Sequence, residues 1–300
     1  MNRNAFILSG AALCASAPIP AGATPLAGAI ERAEEYSTGT VGVYARRLGA
    51  ADSIAYNAGE RFPSASTIKL LILVTLFQTI ERHPEVWTHR IALTRDDFVG
   101  GSEVLDAYNP GDKIAISRLA RAMIEASDNT ASNVLISYLG FDRINSAAHR
   151  AGMHDTQLKR HFMDYNAIVH HSENWTTAHD MGLLLYQIER GAHEAVTTVA
   201  SPLSCRHMID ILLNQEDRDK IARGLPKGIP LANKTGEIDG VRNDVGIVDP
   251  YGESPYVIAV LEKNLADFSN GVIAIRRIAS AVHGALYTSK FGYAVRSKRT

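Results

Sequence analysis

Residues 66–79 read STIKLLILVTLFQT, an almost wholly apolar run that begins with a serine and contains a single lysine, Lys69. A helix that is apolar on every side belongs in the interior of a protein, where its neighbours cover it. The run therefore predicts a buried central helix over residues 66–79. The preceding residues, Phe-Pro-Ser-Ala at 62–65, favour a loop that leads into this helix at Ser66.

Outward from this helix, the chain carries helical patterns in its middle and strand patterns towards both ends. Apolar spacing predicts further helices over residues 27–36, 117–127, 129–139, 177–190, 202–214 and 273–287. Short runs rich in apolar and β-branched residues predict strands over residues 41–45, 53–56, 231–234, 244–248 and 256–262. Gly49 lies in the turn that joins the first two strands.

This order predicts an α/β (α+β) fold with two lobes. Strands from the two ends of the chain form one five-stranded antiparallel sheet, which the terminal helices flank. We assign residues 24–63 and 205–300 to this sheet lobe and residues 64–204 to an all-α lobe. Ligand sites commonly lie in the groove between two such units, so we expect the functional residues there.

Composition indicates an ordinary globular protein of one or two closely joined domains. The chain of 300 residues has a formal net charge of −1, and 46% of its residues are hydrophobic. Nearly balanced charge argues against binding to nucleic acid or to an anionic membrane surface. No run reaches the roughly 20 apolar residues that a membrane-spanning helix needs. We expect the protein to be a monomer.

The first 23 residues predict a cleavable signal peptide. Arg3 precedes an apolar stretch over residues 5–17, and two prolines and the sequence Ala-Gly-Ala follow it. We therefore expect a secreted or periplasmic protein that is cleaved near Ala23. Two alternatives remain open, an apolar helix packed on the domain and lipidation at Cys14. After cleavage Cys205 is the single cysteine, which excludes an intramolecular disulfide.

Three short polar motifs occur in order along the chain. An S-x-x-K motif joins Ser66 to Lys69, Ser-Asp-Asn occupies residues 127–129, and Lys-Thr-Gly occupies residues 234–236. A chain of this size contains about one S-x-x-K by chance. Each of the two triplets is expected by chance in only roughly one such chain in twenty. The three motifs together therefore point to a serine acyl-transfer site.

Ser66 and Lys69 are the candidate nucleophile and base. Positions i and i+3 share a helix face, so the Ser66 hydroxyl and the Lys69 amine can meet. Burial among apolar neighbours would lower the pKa of Lys69 and let it accept the serine proton. Each residue alone has a simpler explanation: Ser66 as a helix N-cap, and Lys69 as a surface side chain that extends to solvent.

The combination of these motifs is typical of class A β-lactamases and penicillin-binding proteins. From about residue 30 to about residue 289, the chain resembles this superfamily, and by size and spacing it resembles the class A branch most closely. The resemblance implies that Ser127 relays a proton to the leaving nitrogen. It also implies that Asn129 hydrogen-bonds the substrate amide and Lys69, and that Lys234 and Thr235 bind a substrate carboxylate.

Residues next to the third motif complete the expected site. Gly236 permits close approach of a substrate backbone to a strand edge. The backbone N–H groups of Glu237 and Ser66 would form an oxyanion hole, in which each donor is worth about 10²–10³ in rate. Arg242 has two interpretations that remain open, a ligand of the substrate carboxylate or a partner in a structural ion pair.

One loop departs from the class A pattern, which reads R-x-E-x-x-x-N. Arg160 and Asn166 match this pattern, but Phe162 stands at the glutamate position. Asp164 is the only carboxylate inside the loop, and it is the candidate substitute base for deacylation. The aspartate that pairs with the loop arginine in the family is Asn174 here, so we expect a hydrogen bond in place of an ion pair.

These residues leave three functions open. The first is a class A β-lactamase-like serine hydrolase that opens the β-lactam amide through an acyl-Ser66 intermediate. The second is a penicillin-binding D-Ala-D-Ala peptidase or esterase that releases β-lactams slowly because Phe162 replaces the glutamate. The third is a binding or sensor domain that stays acylated.

The expected partner is a small β-lactam or a cell-wall peptide. We expect no metal or other cofactor, because the histidines lack metal-ligand spacing.

Overall fold

The computed structural model describes the backbone of residues 7–8 and 25–296, and the side chains of residues 25–286. The predicted signal peptide over residues 1–23 lies outside the described residues, apart from a two-residue strand, β1, at Ile7–Leu8. Among the helices of the described residues, none is both long enough and apolar enough to cross a membrane.

The helices lie mainly in the middle of the chain, as the sequence predicts. In the described residues they are α1 Pro25–Ser37, α2 Lys69–Arg82, α3 Ile116–Glu125, α4 Asn129–Leu139, α5 Phe141–Arg150, α6 Tyr165–Val169, α7 Ala178–His193, α8 Pro202–Leu212, α9 Ile221–Gly224 and α10 Phe268–Arg296. The apolar spacing did not predict α5, α6 or α9. The reason for α5 is that it buries only three apolar side chains, Ile144, Ala147 and Ala148.

The longest strands come from the two ends of the chain. Besides β1, the strands are β2 Thr40–Arg47, β3 Ile54–Tyr56, β4 Arg61–Pro63, β5 Arg90–Ala92, β6 Lys113–Ala115, β7 Trp175–Thr177, β8 Leu231–Ile238, β9 Val241–Val248 and β10 Tyr256–Lys263. The main sheet has the order β1-β3-β2-β10-β9-β8, and every pair in it is antiparallel. The predicted α/β fold with a five-stranded antiparallel sheet is confirmed, and β1 extends the β3 edge.

The sheet is buried on both faces, which explains its nearly continuous apolar strands. Successive residues of β10 point to opposite faces. Ile258 and Val260 belong to the apolar cluster that contains α1 and α10. Ala259 and Leu261 belong to the larger cluster that contains the central helices. The lobe boundaries proposed from the sequence stay a prediction. Helix α7 belongs to the all-α lobe in that division, yet it packs directly against the sheet strands β2, β9 and β10.

Helix α2 is the centre of the helical part, as the opening sequence stretch predicts. Every side chain from residue 69 to residue 77 is buried. Helices α3, α4, α5 and α8 all contact α2 and cover its sides. A single 3-10 turn, Ala65–Ile68, precedes the helix. This turn places Ser66 and Lys69 at the end of α2 that faces β8.

Helix α7 can lie directly on the sheet because Gly182 has no side chain at the point of contact. A Cβ atom on Gly182 would lie 2.1 Å from Cδ1 of Tyr44 in β2. We expect Gly182→Ala to lower the free energy of unfolding by about 1–3 kcal/mol, since the ring must move. Thermal unfolding measures this loss.

The control is Gly59→Ala in the exposed turn between β3 and β4, where the added Cβ meets no described atom within 4 Å. Reduced freedom of the unfolded chain makes that change neutral or stabilising by up to about 1 kcal/mol. Equal melting temperatures for the two variants would contradict close packing between α7 and β2.

Candidate active site

The three motifs meet at one place, between the start of α2 and the free edge of the sheet. Ser66 lies in the 3-10 turn before α2, Ser127 lies in the loop between α3 and α4, and Lys234 lies in β8. Among the described residues β8 is the last strand of the sheet, so one side of its backbone has no strand partner there. The site is therefore built from a helix start, a loop and a sheet edge.

Gly236 allows the sheet edge to approach the turn that carries Ser66. A Cβ at Gly236 would lie 2.9 Å from the Ser66 nitrogen and 3.0 Å from both the Ser64 oxygen and the Thr67 nitrogen. The expectation that this glycine admits a substrate backbone stays a prediction. The structure shows a close approach to the protein's own Ser66 turn, so any larger residue would push β8 away from it.

Lys69 is buried and holds three polar contacts across the site. Its Nζ atom donates to the Ser127 carbonyl at 2.6 Å, to Asn129 Oδ1 at 2.9 Å and to Ser127 Oγ at 3.3 Å. Among the described residues, the Ser66 hydroxyl is not one of its hydrogen-bond partners. Burial, followed by the positive charge of Lys234, holds the pKa of Lys69 well below its ordinary value of 10.5. Lys69 is thus anchored in the interior, and it gives up its proton more readily than an exposed lysine does.

Ser127 is held in a strained conformation between two lysines. Its φ angle of +59° lies in the left-handed region, which non-glycine residues adopt at an energetic cost. Its Oγ accepts from Lys234 Nζ at 3.0 Å as well as from Lys69. Asp128 fixes this loop: Oδ1 caps α4 at the Ala131 N–H, and Oδ2 accepts from the N–H groups of residues 104 and 105.

Lys234 is fully buried beneath the site. Burial lowers the pKa of Lys234 to about 7, although nearby carboxylates, led by Asp244, partly oppose the shift. Its Nζ donates to the Thr235 carbonyl at 2.9 Å and to Ser127 Oγ. The ammonium therefore links the edge strand to the Ser127 loop.

A second buried lysine lies beside the Lys-Thr-Gly strand, and the sequence analysis did not identify it. Lys220 Nζ contacts Asp217 Oδ2 and Glu237 Oε1, each at 2.5 Å. Burial alone would lower the pKa of Lys220, but these two carboxylates outweigh burial and raise it above 10.5. No motif marks Lys220, because its role depends on contacts 17 residues away in the chain.

Arg242 makes the contacts expected of a structural residue. Its guanidinium stacks over the Phe268 ring at 4.2 Å and lies 3.8 Å from Glu237 Oε1. Its Nη1 donates to the carbonyls of Ile238 and Val241 at 3.1 and 2.8 Å. Of the two interpretations left open by the sequence, these contacts match the structural ion pair.

Phe162 lies against Lys69. The Lys69 Nζ atom is 4.4 Å from the centre of the Phe162 ring, which is within cation–π range. Asn133 holds the backbone of Phe162 on both sides, accepting from its N–H at 2.8 Å and donating to its carbonyl at 3.0 Å. The loop therefore delivers an aromatic face to the place where the family pattern has a carboxylate.

The Asp164 carboxylate serves the loop itself. Its Oδ1 accepts from the Ala167 N–H at 2.9 Å and caps the short helix α6, in which Asn166 is exposed. Within the described residues, no hydrogen bond or ion pair joins Asp164 to Ser66 or Lys69. The structure thus gives the candidate substitute base a capping contact and does not bring it to the lysine cluster.

The loop closes through an ion pair that the sequence analysis missed. Arg160 donates to Glu173 Oε1 from Nε at 3.1 Å and from Nη2 at 2.7 Å. The expectation of a hydrogen bond to Asn174 in place of an ion pair is wrong. Asn174 Oδ1 instead accepts from the N–H groups of Lys159 and Arg160. Glu173 lies one position before residue 174, where the family pattern has an aspartate. Its side chain is one methylene longer than that of an aspartate, and this extra length lets it reach the guanidinium.

No metal centre accompanies this site in the part of the chain that the structure describes. No group of three or more His, Cys, Asp or Glu side chains there is arranged to hold an ion. The groups that the three motifs bring together are the serine hydroxyls, two lysines and backbone N–H groups.

Comparisons with known proteins agree with this geometry. A family model described as "Beta-lactamase enzyme family" matches residues 25–286. A β-lactamase from Streptomyces fradiae is 31% identical over 278 residues, which cover 86% of this chain and 88% of the relative. The structure of an ancestral class A β-lactamase has a TM-score of 0.78 and 26% identity, covering 87% of this chain and 99% of its own. A structure of PBP-A has a TM-score of 0.77 and 27% identity, covering 87% and 96%.

The Arg160–Glu173 ion pair gives a stability prediction for the loop. Glu173→Gln leaves a nearly buried guanidinium without its counter-charge, so we expect unfolding free energy to fall by about 1–3 kcal/mol. Thermal unfolding and hydrogen exchange across residues 160–174 measure the effect. The control is Glu85→Gln, which removes an exposed contact with His83 and should change stability little. Similar losses in both variants would argue against the ion pair as the closure of the loop.

Proposed function

The chain belongs to the class A branch of the β-lactamase enzyme family, serine hydrolases that open the β-lactam amide, and we propose that Ser66 is the nucleophile of this reaction. One observation carries the proposal: the Ser127 hydroxyl lies within hydrogen-bond distance of both Lys69 and Lys234. This arrangement supports a proton path from the attacking serine to the leaving nitrogen.

Acylation needs a base for the Ser66 proton, and Lys69 suits that role. Its lowered pKa favours the neutral amine. The two N–H groups of that amine satisfy the Ser127 carbonyl and Asn129 Oδ1 and leave the lone pair for a hydroxyl proton. Ser66 Oγ attacks the β-lactam carbonyl carbon as its proton passes to Lys69.

Ring opening needs an acid for the departing nitrogen. When the tetrahedral intermediate collapses, the C–N bond breaks and the nitrogen takes the Ser127 hydroxyl proton. Lys69 then returns the proton it accepted to Ser127 Oγ, which lies 3.3 Å from Nζ. The Lys234 ammonium, 3.0 Å from the same oxygen, stabilises the negative charge that develops during the exchange.

The developing oxyanion is assigned to the N–H groups of Ser66 and Glu237. Both lie where the sheet edge meets the nucleophile turn, because Gly236 brings β8 close to the Ser66 nitrogen. In the part of the chain that the structure describes, no strand pairs with the outer edge of β8 and uses its N–H groups. Donors fixed before the reaction stabilise the oxyanion without reorganisation.

Release of the acyl group is the slow half of the proposed reaction. Phe162 supplies an aromatic ring beside Lys69, and a ring cannot deprotonate water. Loss of a general base typically costs about 10²–10⁴ in rate. We therefore expect rapid acylation by β-lactams and slow turnover, which limits any contribution to antibiotic resistance.

Phe162 also supports a second candidate, a penicillin-binding D-Ala-D-Ala peptidase or esterase that acts on cell-wall peptides. The similarity to PBP-A supports it only weakly, because ancestral class A β-lactamases fit equally well. For either activity we propose export to the periplasm or medium after cleavage near Ala23, and action as a monomer. The N-terminal pattern of a charged residue, an apolar stretch and Ala-Gly-Ala supports export.

The nucleophile assignment has a direct test. Ser66→Ala should abolish covalent labelling by penicillin, because it removes the attacking oxygen and keeps the turn. Intact-protein mass spectrometry detects the adduct, and thermal unfolding verifies that the variant is folded. Ser64→Ala is the control, since that hydroxyl only donates to backbone carbonyls at 3.1–3.3 Å. A labelled Ser66→Ala protein would place the nucleophile elsewhere.

The role of Phe162 in deacylation is tested by restoring the carboxylate. Phe162→Glu should speed release of the penicilloyl group by about tenfold or more, because Asn133 holds the backbone and positions the new side chain. Mass spectrometry after removal of excess penicillin follows the release.

Phe162→Leu is the matched control, since it removes the ring without adding a base. Equal acceleration in both variants would mean that loss of the ring, and not the base, sets the rate. Asp164→Asn separates the other possibility. Slower release in that variant would make Asp164 the base, whereas its capping contact predicts no slowing.

A further inference from the structure

The cationic side of the site already holds a carboxylate from the protein itself. Glu237 Oε1 lies 2.5 Å from Lys220 Nζ and 3.8 Å from Arg242 Nε. Lys220 is 1% exposed, whereas the Glu237 side chain is 44% exposed. Glu237 is therefore the outermost member of this cluster and the one that substrate can meet first.

The same carboxylate acts on the lysine of the Lys-Thr-Gly motif. Besides burial, four charged groups act on the pKa of Lys234. The carboxylates of Asp244, Asp217 and Glu237 raise this pKa, and the positive charge of Lys220 lowers it. These groups therefore lie within electrostatic reach of one another. Because Glu237 directly follows Gly236, its backbone belongs to the oxyanion site while its side chain belongs to the charge cluster.

The other two carboxylates of the cluster have backbone partners of their own. Asp217, whose side chain is 31% exposed, binds Lys220 and accepts from the Asp219 N–H at 3.0 Å. Asp244 is fully buried and accepts from Asn233 Nδ2 at 2.8 Å and from the Ile221 N–H at 2.9 Å. Glu237 has the most exposed side chain of the three carboxylates, so it is the one best placed to yield to a ligand.

The cations of the cluster are nearly matched by these acids. Around β8 the basic side chains Lys220, Lys234, Arg218 and Arg242 meet the acids Asp217, Glu237 and Asp244. Burial brings the pKa of Lys234 and of Asp244 each to about 7, so near pH 7 each of these two groups carries only part of its charge and the opposite partial charges offset each other. The Arg218 guanidinium donates hydrogen bonds to the Leu213 and Leu231 carbonyls and to Asn233 Oδ1, so it is engaged within the protein. A strong preference for an anionic substrate needs surplus positive charge, and little surplus remains here.

We propose that the Glu237 side chain is a specificity-determining group that occupies the cationic side of the site, so that a substrate carboxylate binds only in competition with it. The inference rests on the proposed acylation of Ser66. A carboxylate-bearing substrate has to displace Glu237 from Lys220 or bind beside its negative charge. A substrate that is neutral at this end meets neither obstacle. The favoured substrates are therefore those whose group facing Lys220 carries no negative charge.

Benzylpenicillin and its methyl ester provide the test, because they share the reacting amide and differ only in the carboxylate. The measurement is the second-order rate constant of Ser66 acylation by each compound, followed by mass spectrometry at low ionic strength. Glu237→Gln should raise the acid-to-ester ratio of these rate constants by about two- to fivefold, the range of a partly exposed ion pair. The backbone N–H of residue 237 is unchanged in this variant.

Two further variants separate charge from structure. Glu237→Asp keeps the charge and should leave the ratio close to that of the natural protein. Glu35→Gln removes an exposed carboxylate from α1 and should not change the ratio. The effect of Glu237→Gln should also shrink at high salt, because screening weakens exposed charge interactions.

The outcomes distinguish this inference from the proposed function. If neither compound acylates Ser66 in the natural protein, the proposed function fails. If both compounds acylate it and Glu237→Gln leaves the ratio within twofold of the natural protein, the inference about Glu237 is overturned and the nucleophile assignment stands. An equal change in Glu35→Gln would also overturn it, because net charge alone would then account for the effect.

Discussion

A buried lysine at the start of the central helix is the constraint on which the site depends. A cation inside a protein is costly unless acceptors surround it. Lys69 finds them in the Ser127 carbonyl and in Asn129, so the loop between α3 and α4 has to fold over the helix start. Asp128 holds that loop from below, and Ser127 accepts a strained backbone conformation as part of the same arrangement. The contacts that neutralise the cost of burial also place a hydroxyl between two lysines.

The proposed acyl-enzyme reaction divides between two parts of the structure. The groups proposed for acylation lie on or beside regular elements: the 3-10 turn that leads into α2, the loop before the capped start of α4, and the edge strand β8. The group that normally supports deacylation comes from a loop, and here that loop is well anchored but presents Phe162. Anchoring by Asn133 and the Arg160–Glu173 ion pair argues against a loop that has simply lost its shape. The loop keeps its architecture and changes its chemistry.

The edge strand combines two kinds of recognition. Its backbone contributes close approach at Gly236 and N–H groups beside the nucleophile. Its side chains belong to a charge cluster in which Lys220 is matched by Asp217 and Glu237. The same residue, Glu237, therefore serves through its main chain whatever the substrate, while its side chain adjusts the site to the charge of that substrate. Chemistry and specificity are thus encoded at one position by different atoms.

Periodicity, apolar runs and short spacings are local properties of a chain, so the class of fold, the central helix and the three motifs can be predicted without a structure. The departure at Phe162 can be recognised in the same way. The pairing of Glu173 with Arg160, the capping of α6 by Asp164 and the contact of Lys220 with Glu237 emerge only from the folded chain. Each of these depends on where a side chain points and on which distant backbone comes within about 3 Å of it. Those distances are set when the helices and the sheet pack, and no local pattern records them.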